Sequence, residues 1–317
     1  EEETAGEFDQ YEEMTIKFSC SGTEQGVDYL TGEYFANAVA EATGGKIKVE
    51  LYASNVLSGG LMSEAMNMLT MGGAYEMGVF SSAVLSNFDP VFLVVQLPFI
   101  FENYDDVSSY HDSTGGEWMK EMMAKYGLVY MGAEHNGLKQ WTNNKGEKHT
   151  TADFKNFKIR IPGGEVSTMT WQALGADPVA MTWSEVYTAL QQGTVDGHEN
   201  SYQTIFSNNI QEVQKYITEA YYQYDGYWMM YNADAWDQLN EATQELFLEL
   251  GNEACLWGRA YLEDSETTIK QALIDNGNVI NVLTPEERQV FVDATAGVIE
   301  HFREVYGEEA YAAWGIE

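Results

Sequence analysis

Basic residues are scarce in this chain: 16 Lys and Arg stand against 50 Asp and Glu over 317 residues, a formal net charge of −34. Such a field repels phosphate backbones and anionic lipid headgroups, and the few cations form no run that could release counterions, so nucleic acid and membrane surfaces are excluded as partners. A long hydrophobic run is missing as well. The longest, Val91 to Phe101, is about half the ~20 residues of a membrane-spanning helix and contains Gln96 and Pro98, so no direct membrane insertion is expected. Cysteine is limited to Cys20 and Cys255, with no C-x-x-C pair and no histidine at metal-ligand spacing nearby. Two buried free thiols are expected rather than a disulfide. The histidines at 111, 135, 149, 198 and 301 are scattered, and no nucleophile elbow, HExxH, GxGxxG, P-loop or EF-hand pattern occurs. No catalytic set, cofactor or metal is therefore expected. An extracellular hydrolase working with two carboxylates is the rival class, but among 50 acids carboxylate pairs arise by chance and carry no weight without geometry.

What is present is enough apolar residue, 44%, to bury a core in a chain about two domains long. The acidic opening, 1–15, has no hydrophobic period and reads as a disordered stub up to the first strand, left after processing or trimming. Met14 to Ser19 reads as a strand. Asp28 to Thr43 places apolar residues at helical spacing and stops at Gly44 and Gly45, where positive φ is free. A strand at Ile47 to Tyr52, a helix at Leu61 to Met71 and a strand at Met77 to Phe80 complete a β-α-β-α-β series, the signature of a mainly parallel sheet covered by helices.

The second half is better punctuated. Thr150, Thr151 and Asp153 open a short helix ended by Asn156, and Phe157 to Ile161 is a strand halted by Pro162 and Gly163. Val166 to Leu174 is a helix. Thr182 and Glu185 have the spacing of a capping box for a helix that ends at Gly193, and Thr284 to Glu287 repeats that spacing with Pro285 at the first helical position. Between them, 241–276 is helical for far longer than the average helix, with Gly277 as its stop. In so acidic a chain a cation at the carboxyl end of a strand is conspicuous, and α/β sheets bind ligands at that end. Arg160 in KIRIPGG sits there, with a planar fork of donors suited to a carboxylate; the competing reading is a salt bridge to one of the many acids.

The run from Lys158 to Ile217, which contains IRIPG and SEVYTALQQGTVDGHEN, resembles the core signature of DctP-type solute-binding proteins of tripartite ATP-independent periplasmic (TRAP) transporters. GGKIKVELYASNVL (44–57), LPFIFENYDDV (97–107), NGLKQWTNNK (136–145) and the long helix extend the resemblance over nearly all of the chain after residue 13. The resemblance implies a two-lobed α/β fold like that of periplasmic binding proteins, with a ligand cleft between lobes and a long helix crossing both. The lobes would be 1–136 with 226–265 and 137–225 with 266–317, opening and closing by hinge bending. It implies a non-enzymatic monomer, periplasmic or otherwise extracytoplasmic, free or lipid-anchored, that delivers an organic acid to a membrane permease. By the same resemblance Arg160 pairs with the ligand carboxylate and Asn200 hydrogen-bonds the ligand.

Departures from the family pattern bear on the ligand. Lys139 in NGLKQW stands where many members have a second arginine, a point charge in place of a fork. DGHENS replaces the usual DGQENP, with His198 read as a wall residue rather than a ligand contact, and Val84 replaces an arginine of sialic-acid-binding members, which argues against sialic acid. Trp183 falls where the family has an aromatic facing the ligand, whereas Trp141 and Trp171 match core positions. Tyr222, in the aromatic segment 221–228, takes the place of a frequent histidine, and Ser81 and Ser82 after the third strand could add hydroxyl contacts. Tyrosine and tryptophan suit a sugar ring or an aromatic acid, so a sugar acid such as a uronate leads, an aromatic or indolic carboxylate follows, and a C4-dicarboxylate is third because one arginine is evident.

Overall fold

The computed structural model describes residue 6 and residues 8–317. Residues 1–5 and 7 of the expected stub lie outside the described residues. The rest of that stretch corrects the expectation, because 8–11 form a turn that is tied down: Lys46 Nζ donates to the Phe8 carbonyl at 2.9 Å and Asn240 Nδ2 to the Gln10 carbonyl at 2.9 Å.

The chain is α/β with two sheets. Its strands are β1 (Met14–Cys20), β2 (Ile47–Tyr52), β3 (Met77–Ser81), β4 (Leu128–Leu138), β5 (Gln140–Asn143), β6 (Lys158–Ile161), β7 (Asp177–Ala180), β8 (Gly197–Asn200), β9 (Tyr216–Glu219), β10 (Tyr224–Asn232) and β11 (Val279–Val282). One sheet has the order β2-β1-β3-β10-β4 and the other β11-β9-β5-β8-β6-β7. The expected parallel start is present: β1 pairs in parallel with β2 and with β3, connected by the helices Val27–Ala42 and Met62–Met71.

Contacts divide the chain into two compact units, one of residues up to Phe80 with Lys120–Glu134 and Tyr227–Ala260, the other of Ser81–Met119, His135–Gly226 and Tyr261–Glu317. The division differs from the expected lobes mainly in assigning 81–119 to the second unit, and at the boundaries in placing 135–136, 226 and 261–265 there as well. There the apolar run Pro90–Gln96, a 3-10 helix, packs on the helices Glu165–Ala173 and Pro285–Ala313. In the first unit Cys20 and Cys255 are buried free thiols, as their spacing suggested. Asp28 is also buried there; its carboxylate accepts from the Gly22 N–H at 2.6 Å, and desolvation pushes it up to about 6.

In the second unit the six-stranded sheet separates two apolar layers. One gathers Trp141, Phe154, Ile159, Trp171, Tyr222 and Phe291; the other Val186, Leu190, Tyr202, Ile205, Ile217 and Leu273. Trp141 and Trp171 are core, edge to face at 5.6 Å. The helix Glu241–Asp275 has the anticipated length and ends before Gly277 (φ 94°). At the start of the last helix the capping box forms: Thr284 Oγ1 accepts from the Glu287 N–H at 3.2 Å while Glu287 accepts from the Thr284 N–H at 2.8 Å. The Thr182 box does not. The helix Trp183–Gln192 begins where its sequence indicates, yet the Thr182 side chain makes no capping bond and the Glu185 N–H bonds the Thr182 carbonyl instead. Among the described residues no helix is long and apolar enough to cross a membrane.

Candidate functional site

In the second sheet Thr142 is paired with His198, His198 with Arg160 and Arg160 with Val179, so these side chains form a row on one face. Asn200, two residues beyond His198, shares that face. The strands come close enough at Gly197 that a Cβ there would collide with the Thr142 carbonyl, which is the physical reason for glycine in the DGHEN segment. β6 runs parallel to β7 and β8 and is ended by Pro162 and Gly163 (φ 127°), leaving Arg160 at the carboxyl end of three parallel strands.

Arg160 is 2% exposed. Its Nε and Nη2 donate to the Met181 carbonyl at 3.1 and 2.7 Å, and the guanidinium carbon stands 5.3 Å from the centroid of the Trp183 ring. No carboxylate forms an ion pair with it among the described residues, although Glu199 is near enough to favour its charge. Desolvation outweighs that help and holds the guanidinium down to about 10. A buried cation with donors to spare and no anion is electrostatically incomplete.

The side chains that share its sheet face, Thr142, Val179, His198 and Asn200, carry no charge. His198 is fully buried with Nδ1 2.7 Å from Thr142 Oγ1, and desolvation, with Arg160 and Lys139 adding to it, pushes the ring down to about 3. Trp183, in the first turn of its helix, is half-buried, with its ring 6.0 Å from that of His198 and its Nε1 donating to Asn208 Oδ1 at 3.3 Å. Asn200 is nearly buried and uses Oδ1 to accept from the Ser201 N–H at 2.9 Å.

The other anticipated residues are placed differently. Lys139 is buried, with Nζ 3.0 Å from Glu199 Oε2 and donating to Gln223 Oε1 at 3.0 Å, so its charge is already matched. Tyr222 belongs to the aromatic core; its hydroxyl accepts from Trp171 Nε1 at 3.1 Å. Ser81 ends β3 and the Ser82 N–H bonds Asp225. Asp225 accepts from Gln96 Nε2 at 2.6 Å and from Asn136 Nδ2 at 2.9 Å, Asn136 accepts from Thr204 at 3.1 Å, and Gln223 Nε2 donates to the Gln96 carbonyl at 2.5 Å. Burial raises both Glu199 and Asp225. Sequence reasoning gave no site role to Glu199, Asp225, Gln96 or Gln223, although all four lie within segments it quoted, because a single acid or amide in such a chain gives no signal until its burial is known. A cavity of about 320 Å³ in this unit is lined by Glu102, Tyr104, Tyr221, Glu263 and Glu266 among others. Its carboxylates disfavour an anion, and none of the anticipated residues lines it. No group of side chains able to hold a metal occurs among the described residues.

The sequence model of the bacterial extracellular solute-binding protein family 7, DctP, matches residues 18–305. A C4-dicarboxylate-binding periplasmic protein DctP of Vibrio cholerae is 29% identical over 303 residues, covering 95% of this chain and 90% of that protein. A TRAP periplasmic solute-binding protein of Ralstonia eutropha, solved with bound (S)-2-acetolactate, is similar in structure with a TM-score of 0.91 at 25% identity over 95% of this chain and 98% of the other. The sugar-acid-binding protein DctPAm of Advenella mimigardefordensis, solved with galactonate, shares the fold at a TM-score of 0.91 and 24% identity over 96% and 98%. The chain belongs to the bacterial extracellular solute-binding protein family 7, the DctP-type binding proteins of TRAP transporters.

Proposed function

We propose that this chain binds a monocarboxylic sugar acid outside the cytoplasm, with the carboxylate on Arg160, and hands it to a TRAP permease without chemically changing it. The observation that carries the reading is the buried Arg160 guanidinium, held on one side by the Met181 carbonyl and lacking a carboxylate partner among the described residues. An anionic ligand supplies that partner through charge-assisted, bidentate hydrogen bonds. Trp183 offers an amphipathic ring beside the guanidinium, and His198 and Asn200 on the same sheet face offer neutral polar groups that suit hydroxyls. Both sugar-acid binding and hydroxy-keto-acid binding occur in proteins of this fold.

The C4-dicarboxylate carried by the name of the Vibrio cholerae relative would need a second cation, and Lys139 is already paired with Glu199. We keep the expected ligand-driven closure of the lobes and the hand-over to permease subunits within this proposal. A thermal-shift screen of ligand-stripped protein against uronates, aldonates, aromatic 2-oxo and indolic acids and dicarboxylates tests it, with Arg160→Met as control. At 100 times the dissociation constant a ligand adds about 2.7 kcal/mol, on the order of 5 °C in the midpoint. A shift with uronates or aldonates that vanishes in the variant supports the reading; a shift that the variant retains, or one confined to dicarboxylates, overturns it.

A further inference from the structure

His198 carries a lone pair that the fold does not use. Its Nδ1 lies 2.7 Å from Thr142 Oγ1, and that hydroxyl also lies 3.2 Å from Gln214 Oε1 and 3.4 Å from the His198 carbonyl, both acceptors. The Gln214 amide is oriented by Nε2 donating to the Val213 carbonyl at 3.0 Å, so its oxygen is the atom facing Thr142. Two oxygen acceptors beside that hydroxyl favour the arrangement in which its single hydrogen points to one of them and its oxygen accepts from Nδ1–H. In a neutral imidazole with Nδ1 protonated, Nε2 is an acceptor. Burial keeps the ring neutral, and Nε2 has no hydrogen-bond partner among the described residues. A fully buried acceptor left this way is costly, and such groups in native proteins are met by a donor.

The sheet register says where that donor would come from. His198 and Arg160 are direct cross-strand partners on adjacent strands, so a carboxylate held by the guanidinium brings only its first one or two carbons within reach of the imidazole. We propose that His198 Nε2 accepts a hydrogen bond from a hydroxyl on the carbon next to the ligand carboxylate, or on the one beyond, and so selects hydroxy acids over acids bare at those carbons. The same lone pair repels a second carboxylate oxygen, which has no hydrogen to give. His198 is then a specificity residue rather than the wall residue its sequence position suggested. This inference rests on the acid-binding reading of Arg160.

The test is calorimetric titration with matched pairs differing by one hydroxyl, galactonate against its 2-deoxy counterpart and malate against succinate, read on whichever pair binds. Asparagine places an amide nitrogen near the Nδ1 position but has nothing at Nε2, whereas glutamine reaches the Nε2 position with an acceptor. We expect the unmodified protein to bind the hydroxylated member at least about tenfold tighter, His198→Asn to bring the pair within about threefold, and His198→Gln to keep the preference. Equal affinity within a pair in the unmodified protein overturns the inference whatever the variants do, and so does a preference unchanged in His198→Asn. If acids bind, and are lost in Arg160→Met, while the pairs stay equal, only the hydroxyl reading fails. If no acid binds at all, the acid-binding reading fails and takes this one with it.

Discussion

Arg160→Met is the most informative perturbation, because affinity should fall steeply while stability should hardly change. Methionine keeps an unbranched apolar side chain in the site and removes the charge, the donors and the guanidinium's contact with the Trp183 ring. In the free protein, burial holds the guanidinium down from 12.5 to about 10, which is about 3 kcal/mol against the charged form. Losing the charge removes that cost, while the two bonds to Met181 and their combined ~1–3 kcal/mol are lost as well. The two nearly cancel. The midpoint of the ligand-free variant should lie within about 5 °C of the parent by calorimetry. Binding is different: two charge-assisted bonds to a carboxylate are worth roughly 3–6 kcal/mol, so affinity should fall about 10²- to 10⁴-fold in titration calorimetry. A loss below about tenfold would refute the carboxylate role. A fall in midpoint well beyond 5 °C without ligand would instead mean that Arg160 is a scaffold residue whose charge the fold requires.

Lys139→Met should be destabilising by about 3–5 kcal/mol in urea unfolding, because it leaves Glu199 buried without its cation, and adding Glu199→Gln should recover most of the loss. Stability should depend on pH in two opposed ways. His198 has its folded value depressed from about 6.5 to about 3, so the unfolded chain binds more protons between those values; its contribution is full above pH 6.5 and lost as pH falls, with a ceiling of about 5 kcal/mol. Asp28 has its folded value raised to about 6, so its contribution is full below about pH 4 and lost as pH rises through 6, with a ceiling of about 3 kcal/mol. Urea midpoints should show a flatter acid limb in His198→Gln, and Asp28→Asn should exceed the parent at pH 7 yet converge with it at pH 4. Thr284→Ala should cost about 1 kcal/mol by removing a formed cap, whereas Thr182→Ala should cost clearly less in the same assay, since its hydroxyl caps nothing.

The Thr182 result shows why a local motif is only half an instruction. Thr182–Glu185 and Thr284–Glu287 have the same spacing, and both N-caps are extended, at φ −62°, ψ 151° and φ −66°, ψ 160°, yet only the Thr284 hydroxyl and the Glu287 carboxylate turn onto the backbone. The difference lies in where the side chains turn, not in the backbone that enters the helix. Residues 8–13 fail in the opposite sense, reading as structureless because their anchors, Lys46 and Asn240, are remote in sequence.

The core placement of Trp141 and Trp171 came from the family resemblance, while periodicity and punctuation were enough for the parallel strand-helix-strand opening, the bounds of the 35-residue helix, and Gly193 and Gly277 as stops. These depend on contacts a few residues apart, or on φ values open to few residue types, and both are written locally. Arg160 was legible because it is a rare charge at a strand end. Three things were decided by tertiary structure: Lys139 is neutralised by Glu199, Tyr222 faces the aromatic core, and the His198 ring has one nitrogen tied to Thr142 and the other left over. Each depends on which strands become neighbours and in what register. That is settled by burying two apolar layers on either side of one sheet, a sum over the whole unit that no local stretch of residues contains.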